Sequence, residues 1–599
     1  MKKNTLFQIT FLAVAILISN SAASLVQADE PPPVSWVTQI GGPNTDQAYD
    51  VATDLQGNVL MVGRFIGTVD FNPGLGEDIQ TSHNFNHCSY CLDAFVTKFN
   101  ADGSYAWTRV IGGDLQDFGT SVAVDSAGNV YVAGEFTGTV DFDPSEAGVD
   151  SRTANGPFGR YDIFVTKFNS SGNYLWTRTI GGNSDEGRPS IAVDQSGSVV
   201  IAGSFRSTVD FDPGPNQNIH TSVSCGSNPN FFCPDIFVTK YDTNGNYLWA
   251  ETIGGNNFDE PHDVAVDASG NILVAGIFAG GDIDFDPTPG DVDLHSSTFY
   301  SDEYTSVYWQ DIFVTKLRPD GSYLWTRTTR WTDPVENTGR GINVNGIATD
   351  RSGNVFLVGN FSAMVDFNPA DEEVDYKTAN GGRDVFVMKF GVNGNYTWTS
   401  QLGNEYGDVG NAVATDSNGD PIVTGFLDFL YPAPDPLYGH LFVSKLHSND
   451  GSVAWMYQAE GVTPNWGQAI SVDPFQNILV AGKFNGTVLF DPPDGTFQFT
   501  AGGDYDAFVM RLGNYLPRFT LDIRIVGSGI VKKYPDQQLY ADGQVVHLKA
   551  IPKFGWRFYK WGGDFSGNQN PTQMTITGNT SITAYFIQKA SCTSSHPCS

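Results

Sequence analysis

The stretch "SVAVDSAGNVYVAGEF", Ser121 to Phe136, decides how this 599-residue chain is read. Apolar and polar residues alternate in "SVAVD", and again in "FVTKF" from Phe164, with Val, Phe and Thr prominent and Gly or Asn at the margins. That period of two belongs to half-buried strands and not to a helix. Between the first two strands "DSAGN" supplies hairpin chemistry, since Asp bonds its own backbone two residues on and Gly accepts a positive φ. The same aspartate recurs at Asp54, Asp125, Asp194, Asp267, Asp350, Asp416 and Asp473. Seven equivalent aspartates describe a turn, not a catalytic group.

Outward from that hairpin the chain repeats itself. A tryptophan that opens or sits in an apolar run recurs at Trp36, Trp107, Trp176, Trp249, Trp325, Trp398 and Trp455, at intervals of 57 to 76 residues. Between tryptophans one order holds: the hairpin, an acidic-proline element such as "TVDFDP" at Thr139 to Pro144, a variable stretch, "DIFVTKF" from Asp162, and "NSSGNYLWTRTIGG" from Asn169. Each unit predicts four strands, A ("SVAVD"), B ("NVYVAGEF"), C ("DIFVTKF") and D ("NYLWTRTI"). Four-stranded sheets repeated radially make a β-propeller. The expected fold is all-β, a seven-bladed β-propeller closed by an N-terminal outer strand, plus a small C-terminal β-rich module. Closure follows from the count: the first strand is a D strand around Trp36, and the last is a C strand, "AFVMRL" from Ala507. "VSWVTQI", Val34 to Ile40, is expected to complete the last sheet.

Lys2 and Lys3, the apolar run from Thr5 to Ile18 and "VQA" at Val26 to Ala28 read as a secretory signal over residues 1–28. The expected organisation is a propeller over 29–515, a β-rich module over 516–590 and a tail over 591–599, secreted or at the cell surface. No later run reaches the roughly 18 apolar residues of a membrane helix, so no transmembrane segment is expected. A net charge of −33 repels nucleic acid and anionic lipid and excludes both as partners of the whole molecule. From Leu516 onward nine basic and four acidic side chains give a local +5, so the rest carries −38. The six cysteines fall as near neighbours, Cys88 with Cys91, Cys225 with Cys233 and Cys592 with Cys598, which in an exported chain reads as short loop-closing disulfides.

The "GNVYVAG…DIFVTK…G…W" pattern resembles the SBBP-type bacterial β-propeller repeat over Trp36 to about Asn514. That resemblance implies the architecture and no common activity. From Phe519, "YADGQVVHLKAIP", "FYKWGGDFSGNQNP" and "MTITGNTSITAYF" resemble one copy of the divergent internalin B-type repeat of bacterial surface proteins, over Arg518 to Ile587. It implies a module for display or attachment.

In a propeller the B–C and D–A connections share one face, and here the B–C set is long and varied, as binding loops on a rigid scaffold are. At its root stand the acidic-proline elements, "TVDFNP" from Thr68, "TVDFDP" from Thr139 and Thr208, "IDFDP" from Ile283, "MVDFNP" from Met364 and "TVLFDP" from Thr487. Three readings are open: a metal cage, a catalytic pair, or a way of ending a strand. Residues two apart on a strand share a side. Asp141 and Asp143 with Asp162, Asp210 and Asp212 with Asp235, and Asp284 and Asp286 with Asp311 are therefore candidate calcium ligands, calcium wanting six to eight oxygens. Asp or Asn before Pro also ends a strand with no ion. Copy six departs, with Leu430 at the second acidic place and His440 at the head of strand C.

His83, His87, Cys88 and Cys91 have spacings a zinc site uses, against which stands cysteine oxidation outside the cell. Asp102, five residues before Trp107, invites comparison with a sialidase Asp box, but other copies carry Ser171, Asn244 or Asn393 near that place. Arg109, Arg178 and Arg327 lie on outer strands of different sheets and are not expected to converge. No G-x-S-x-G, phosphate-binding glycine loop or H-E-x-x-H is present. The functional expectation is a non-enzymatic binding or adhesion protein that holds an extracellular protein or glycan on its loop face and attaches to an anionic cell-surface polymer through the basic module. The alternative is an extracellular carbohydrate-active hydrolase or lyase with its site in the central funnel. No cofactor other than calcium is expected.

Overall fold

The computed structural model describes residues 30–589 except 73–75, 84–90, 146–147, 157–158, 213, 226–231, 289, 298, 302–305, 309, 332–340, 369–372, 430–438, 462, 492–496, 514–517, 535–538 and 542–544. The proposed signal, His87, Cys88, Leu430, Cys592 and Cys598 lie outside these residues. The "SVAVDSAGNVYVAGEF" stretch forms strands Asp117–Val124 and Val130–Phe136, which pair with each other and continue to Asp162–Phe168 and Tyr174–Ile180 in one antiparallel sheet. The same A-B-C-D order recurs along the chain as repeated four-stranded antiparallel units, the architecture of a β-propeller. Seven such units are present among the described residues. The seventh takes its A, B and C strands from Asn465–Val472, Ile478–Phe484 and Asp506–Leu512. Its outermost strand is Val34–Ile40, paired antiparallel with Val37 opposite Met510 and Ile40 opposite Ala507. Each A strand contacts the A strands of its neighbours, and Gln47–Thr53 of the first unit contacts Asn465–Val472 of the last.

The core is a series of inter-sheet layers. Leu60, Val62 and Val96 of unit one pack with Val122, Val132 and Phe164 of unit two, all buried. A triad of phenylalanines recurs inside six of the units, unit six carrying Leu427 at the strand-B place. In unit two Phe136 of strand B, Phe142 of the acidic-proline element and Phe164 of strand C have centroids 5.1 to 6.3 Å apart, tilted or edge-on. Phe65, Phe71 and Phe95 repeat it in unit one, and Phe484, Phe490 and Phe508 in unit seven. Each such ring buries a large apolar area in the geometry aromatic pairs prefer.

Strand B stops at Phe136, where "NVYVAGEF" ends. Gly138, at φ 67°, turns the chain, and "TVD" forms a separate short strand, Thr139–Asp141, paired with Ser151–Thr153. The long B–C connection thus carries its own small hairpin.

Neighbouring units are stapled at one recurring point. The indole N–H of Trp107 and the ammonium of Lys98, both in unit one, donate to the carbonyl of Ser170 in the C–D turn of unit two, each at 3.3 Å. Trp176 and Lys167 share Thr243 in the same way, Trp249 and Lys240 share Pro319, and Trp398 and Lys389 share Ser448. Trp36 and Arg511, from opposite ends of the repeat region, share Ala101 of unit one at 3.3 and 2.7 Å. Turn glycines follow from this contact. Gly103 has φ 83°, and a Cβ there would lie 2.8 Å from the Trp36 ring. Lys98 pairs at 2.9 Å with Asp54, the hairpin aspartate, both side chains being buried. Lys445 of unit six instead pairs with two acids, Asp416 at 2.8 Å and Asp420 at 3.1 Å.

The remaining described chain, Arg518–Val526 to Thr580–Gln588, builds two small sheets around Tyr540, Leu548, Trp561, Ile582 and Phe586. Two of its strands, Arg518–Val526 and Thr580–Gln588, run parallel.

Removing Val34–Ile40 should strip both the outer strand of the last unit and the Trp36 staple. We predict a melting temperature lowered by ten degrees or more, whereas Trp36→Ala alone should cost about 3 kcal/mol in a denaturant titration. A truncated chain that melts where the full chain does would contradict this pairing.

Candidate functional site at the rim of the inner strands

The acidic-proline pairs do strand-end work. Asp141 Oδ1 accepts the N–H groups of Asp143 and Asp150 at 3.1 and 2.9 Å, closing the small hairpin across its mouth. Asp210 does the same for Asp212 and Asn218, and Asp284 for Asp286 and Asp293. The second acid of each pair braces the next turn: Asp143 accepts from Ser145, Asp212 from Gly214 and Asp286 from Thr288. Asp162, Asp235 and Asp311 are buried at the head of strand C. Asp162 accepts the Asn155 N–H at 2.9 Å and Asp235 that of Val223 at 2.8 Å. Among the described residues no three His, Cys, Asp or Glu side chains stand close enough to hold a metal ion.

What the strand-C acids do meet is the acid that opens strand A of the next unit. Burial first, and repulsion from Asp93, push Asp117 up to about 8. Burial and Asp162 push Glu186 to about 9, and burial and Asp506 push Asp46 to about 7. Asp162 and Asp235 are themselves raised to about 7 by burial. The first glycine of "IGG" is required here, because a Cβ on Gly181 would stand 2.0 Å from the Asp162 carboxyl carbon. The second glycine's N–H holds the neighbouring acid, as Gly113 does Asp117 at 2.7 Å. In copy six His440 takes the strand-C position, bonds the Gly461 carbonyl at 2.8 Å, and lines a cleft of about 670 Å³ with Asp428 and Glu460.

The zinc reading is corrected. Cys91 is in a disulfide and offers no thiolate, and His83 is held by Asp93 at 2.6 Å, which raises its pKa. Cys225 and Cys233 are joined as expected. Asp102 braces its own turn through the Ser104 N–H. Arg109, Arg178 and Arg327 stay apart, each donating to the turn glycine carbonyl of the next unit, Gly172, Gly245 and Gly394.

The residues that do converge were missed. In six units strand B ends in Gly-x-Phe, and x is Arg64, Glu135, Ser204, Ile277, Asn360 or Lys483. Phe426 holds the matching register in unit six. Across from them on strand A stand Gln47, Phe118, Gly187, Glu260, Asn343, Trp466 and Val409. The frame repeats while these positions change chemistry from copy to copy. That variability inside a fixed frame was the available signal. All sit where strand A begins and strand B ends, on the side of the long loops.

From unit to unit these residues and their neighbours touch one another. Lys483 Nζ is 4.5 Å from the centre of the Trp466 ring and 5.2 Å from that of Tyr505, and Trp466 packs on Phe426 at 5.4 Å. Lys483 feels the charge of Arg64, whose guanidinium lies 5.5 Å from Tyr49 and 5.0 Å from Phe118. Phe118 stacks on Tyr161, which bonds Gln116. The Arg188 N–H donates to Glu135 at 2.7 Å, and its guanidinium meets Glu260 and His262, each at 3.0 Å. His262 donates from Nδ1 to the Val344 carbonyl at 2.6 Å, so Nε2 is left to accept from Arg188, and burial and that arginine lower its pKa to about 4. Asn345 bonds Gly410 and Asn411 bonds Gly467, completing the circuit. Arg188 has φ 53°, a left-handed conformation uncommon for a side chain of this kind and one that collects at functional sites.

Residues 35–64 and 106–137 match the family described as Beta-propeller repeat, SBBP, and residues 519–590 match the Divergent InlB B-repeat domain. The chain thus carries SBBP-type β-propeller repeats at residues 35–64 and 106–137 and a divergent InlB B-repeat domain at 519–590. Among curated relatives, an uncharacterized WD repeat-containing protein of Acanthamoeba polyphaga mimivirus is 23% identical over 80% of this chain and 38% of its own length. The regulatory protein FlaEY of Caulobacter vibrioides is 27% identical over 34% of this chain and 20% of its own. The chain thus spans well under half of either relative. Among solved structures, a quinohemoprotein alcohol dehydrogenase from Comamonas testosteroni is 10% identical with a TM-score of 0.34, covering 82% of this chain and 77% of that one. A NanB sialidase from Streptococcus pneumoniae is 11% identical with a TM-score of 0.33, covering 83% and 72%.

Two predictions concern the acids of the SBBP repeats. Calorimetric titration of the metal-stripped protein with calcium is expected to give flat heats, because Asp141, Asp210 and Asp284 each spend an oxygen on two N–H groups. A saturable heat that vanishes in Asp141→Asn would assign the ion instead. The junction acids hold protons in the folded state that the unfolded chain releases above about pH 4, so their contribution to stability is present at low pH and lost as pH rises through the folded values. Melting temperature should fall from about pH 4, where the unfolded carboxyls ionise, to about pH 9, the upper limit set by the folded values of about 7, 8 and 9 for Asp46, Asp117 and Glu186, and less steeply in Glu186→Gln. A flat profile over that window would refute the linkage.

Proposed function

We propose that the seven units close into one ring and that the chain is an exported protein which engages an extracellular glycan at the rim of its inner strands, its basic C-terminal domain serving attachment to an anionic surface. The observation that carries this reading is the single register in the repeat where chemistry varies, occupied by cations, acids, amides and aromatics that touch one another in sequence around the ring. Structure needs none of this variety, since Ile277 and Ser204 fill the same register elsewhere. Aromatic faces beside charged and amide groups are the ordinary means of holding sugar rings and their hydroxyls. In support of export stand the leader-like sequence, the Cys225–Cys233 disulfide and the InlB-type domain. Among the described residues no helix is long and apolar enough to cross a membrane.

A second reading, a hydrolase or lyase acting on the same glycan, is favoured by Glu135, whose carboxyl is raised by burial and sits beside Arg188 and Tyr49. A carboxyl whose pKa burial raises is suited to act as a general acid. A glycan array probed with the full chain, followed by reducing-end assay on each ligand found, separates the readings. Binding without turnover is expected for the first, and turnover lost in Glu135→Gln for the second. Ligand binding unaffected by Trp466→Ala would remove the rim from both.

A further inference from the structure

We infer that the rim recognises a carboxylated sugar, with the uronate carboxylate held between Lys483 and Arg64 and the sugar ring lying against the aromatic cluster around them. This rests on the rim reading above and specifies its ligand.

The inference starts from donors without acceptors. Lysines at the unit junctions are paired with acids: Lys98 with Asp54, Lys240 with Asp194 and Lys316 with Asp267, each at 2.9 Å. Lys483 has no hydrogen bond or ion pair among the described residues, only its two aromatic neighbours. The buried Nε of Arg64 lacks a partner, and the rest of its guanidinium reaches only the amide oxygen of Gln47, at 3.3 Å. The buried indole N–H of Trp466 has none either. Two cations from units one and seven, Lys483 and Arg64, thus lie within reach of each other's charge with donors unsatisfied, in a chain whose net charge is −33, while the Trp466 N–H faces Gly439 of unit six, where a Cβ would lie 3.1 Å away. A buried donor left unmade costs free energy, and two like charges brought together out of water cost more.

The cost shows in Lys483 itself, whose pKa is lowered to about 8 by burial and then by Arg64. An anion seated here would supply acceptors to both cations at once. A carboxylate fits better than a lone inorganic anion, because the donors are ringed by Trp466, Tyr505, Phe118 and Tyr49, flat apolar surface that an inorganic ion cannot use. Stacked and cation-facing rings of this kind suit a sugar whose one face is C–H and whose edge is charged.

The test is calorimetry with the full chain at physiological salt, using trigalacturonate as the acidic probe and maltotriose as the neutral one. Saturable binding of trigalacturonate, at least tenfold weaker in Lys483→Met and largely retained in Lys483→Arg, with the melting temperature of both variants near that of the parent, is the expected result. Short oligomers at that salt keep the contribution of the basic C-terminal domain small, and the double variant Lys553→Gln, Lys560→Gln should bind as the parent does. Equal binding of maltotriose and trigalacturonate, unchanged in Lys483→Met but lost in Trp466→Ala, would overturn the acidic specificity and leave the rim standing. No binding of either sugar, or loss only in the Lys553→Gln, Lys560→Gln variant, would overturn the inference together with the rim.

Discussion

The structure hangs on an acceptor shared between neighbouring units. At four junctions a backbone carbonyl in the C–D turn takes an indole N–H and an ammonium from the unit before it, at a fifth Ala101 takes Trp36 and Arg511, and ammonium groups such as Lys98 and Lys240 are paired with the hairpin aspartate of their own unit. Removing an ammonium from water costs several kcal/mol, which a single neutral acceptor does not return. The aspartate is what makes the arrangement stable, and it is already fixed by the A–B turn, where Asp54 accepts from Gln56 and Asn58. Turn chemistry and inter-unit adhesion are therefore one device. The tryptophan adds apolar contact over a glycine that cannot be anything else, since the left-handed turn and the indole both exclude a side chain.

The last junction shows the same device across a chain break. Unit seven takes its C and D strands from opposite ends of the repeat region, so it has no C–D turn to offer unit six. At that place the hairpin asparagine seen at Asn58, Asn129 and Asn271, which is Ser198 in unit three, is Asp420, and Lys445 binds two acids in place of an acid and a carbonyl. On its other side unit seven behaves normally, with Arg511 substituting for the lysine and reaching Ala101 at 2.7 Å. The second acid at Lys445 substitutes for the carbonyl that this junction lacks.

Much of this was legible beforehand. Strand order, the hairpin role of the recurring aspartates, the outer strand at Val34–Ile40 and the separation of the three arginines follow from period, turn residues and counting, which act locally. The acidic-proline element was legible only as a set of alternatives, because the N–H groups that Asp141 accepts from lie two and nine residues on, within a small hairpin that the variable loop sequence does not announce. The strand-C acids were read as facing their own unit. Their partners, such as Glu186 for Asp162, belong to the next one, a contact that alternation along a strand cannot reveal. The rim was invisible for a related reason: a single odd residue in Gly-x-Phe carries no motif, and its meaning comes from six other copies brought round to it.

The two halves of the described chain differ in how they spend charge. In the repeats, Lys98, Lys240, Lys316 and Lys445 are each consumed by an acid, whereas Lys483 has no hydrogen bond or ion pair among the described residues, only ring contacts. In the C-terminal domain the described basic side chains other than Lys533 are exposed, with Lys560 over the Tyr559 and Tyr585 rings and Lys533 over Tyr540. Beside them Phe554 is fully exposed at 105% with Tyr559 at 50%, while Trp561, Tyr540 and Phe586 lie in the core. Exposed cations next to bare aromatic surface suit an outside partner of opposite charge, and a body of −38 would be repelled by that same partner. Under the proposed attachment role the +5 domain is the electrostatically favourable face toward it, which leaves the rim, in a separate set of sheets, for a ligand of its own.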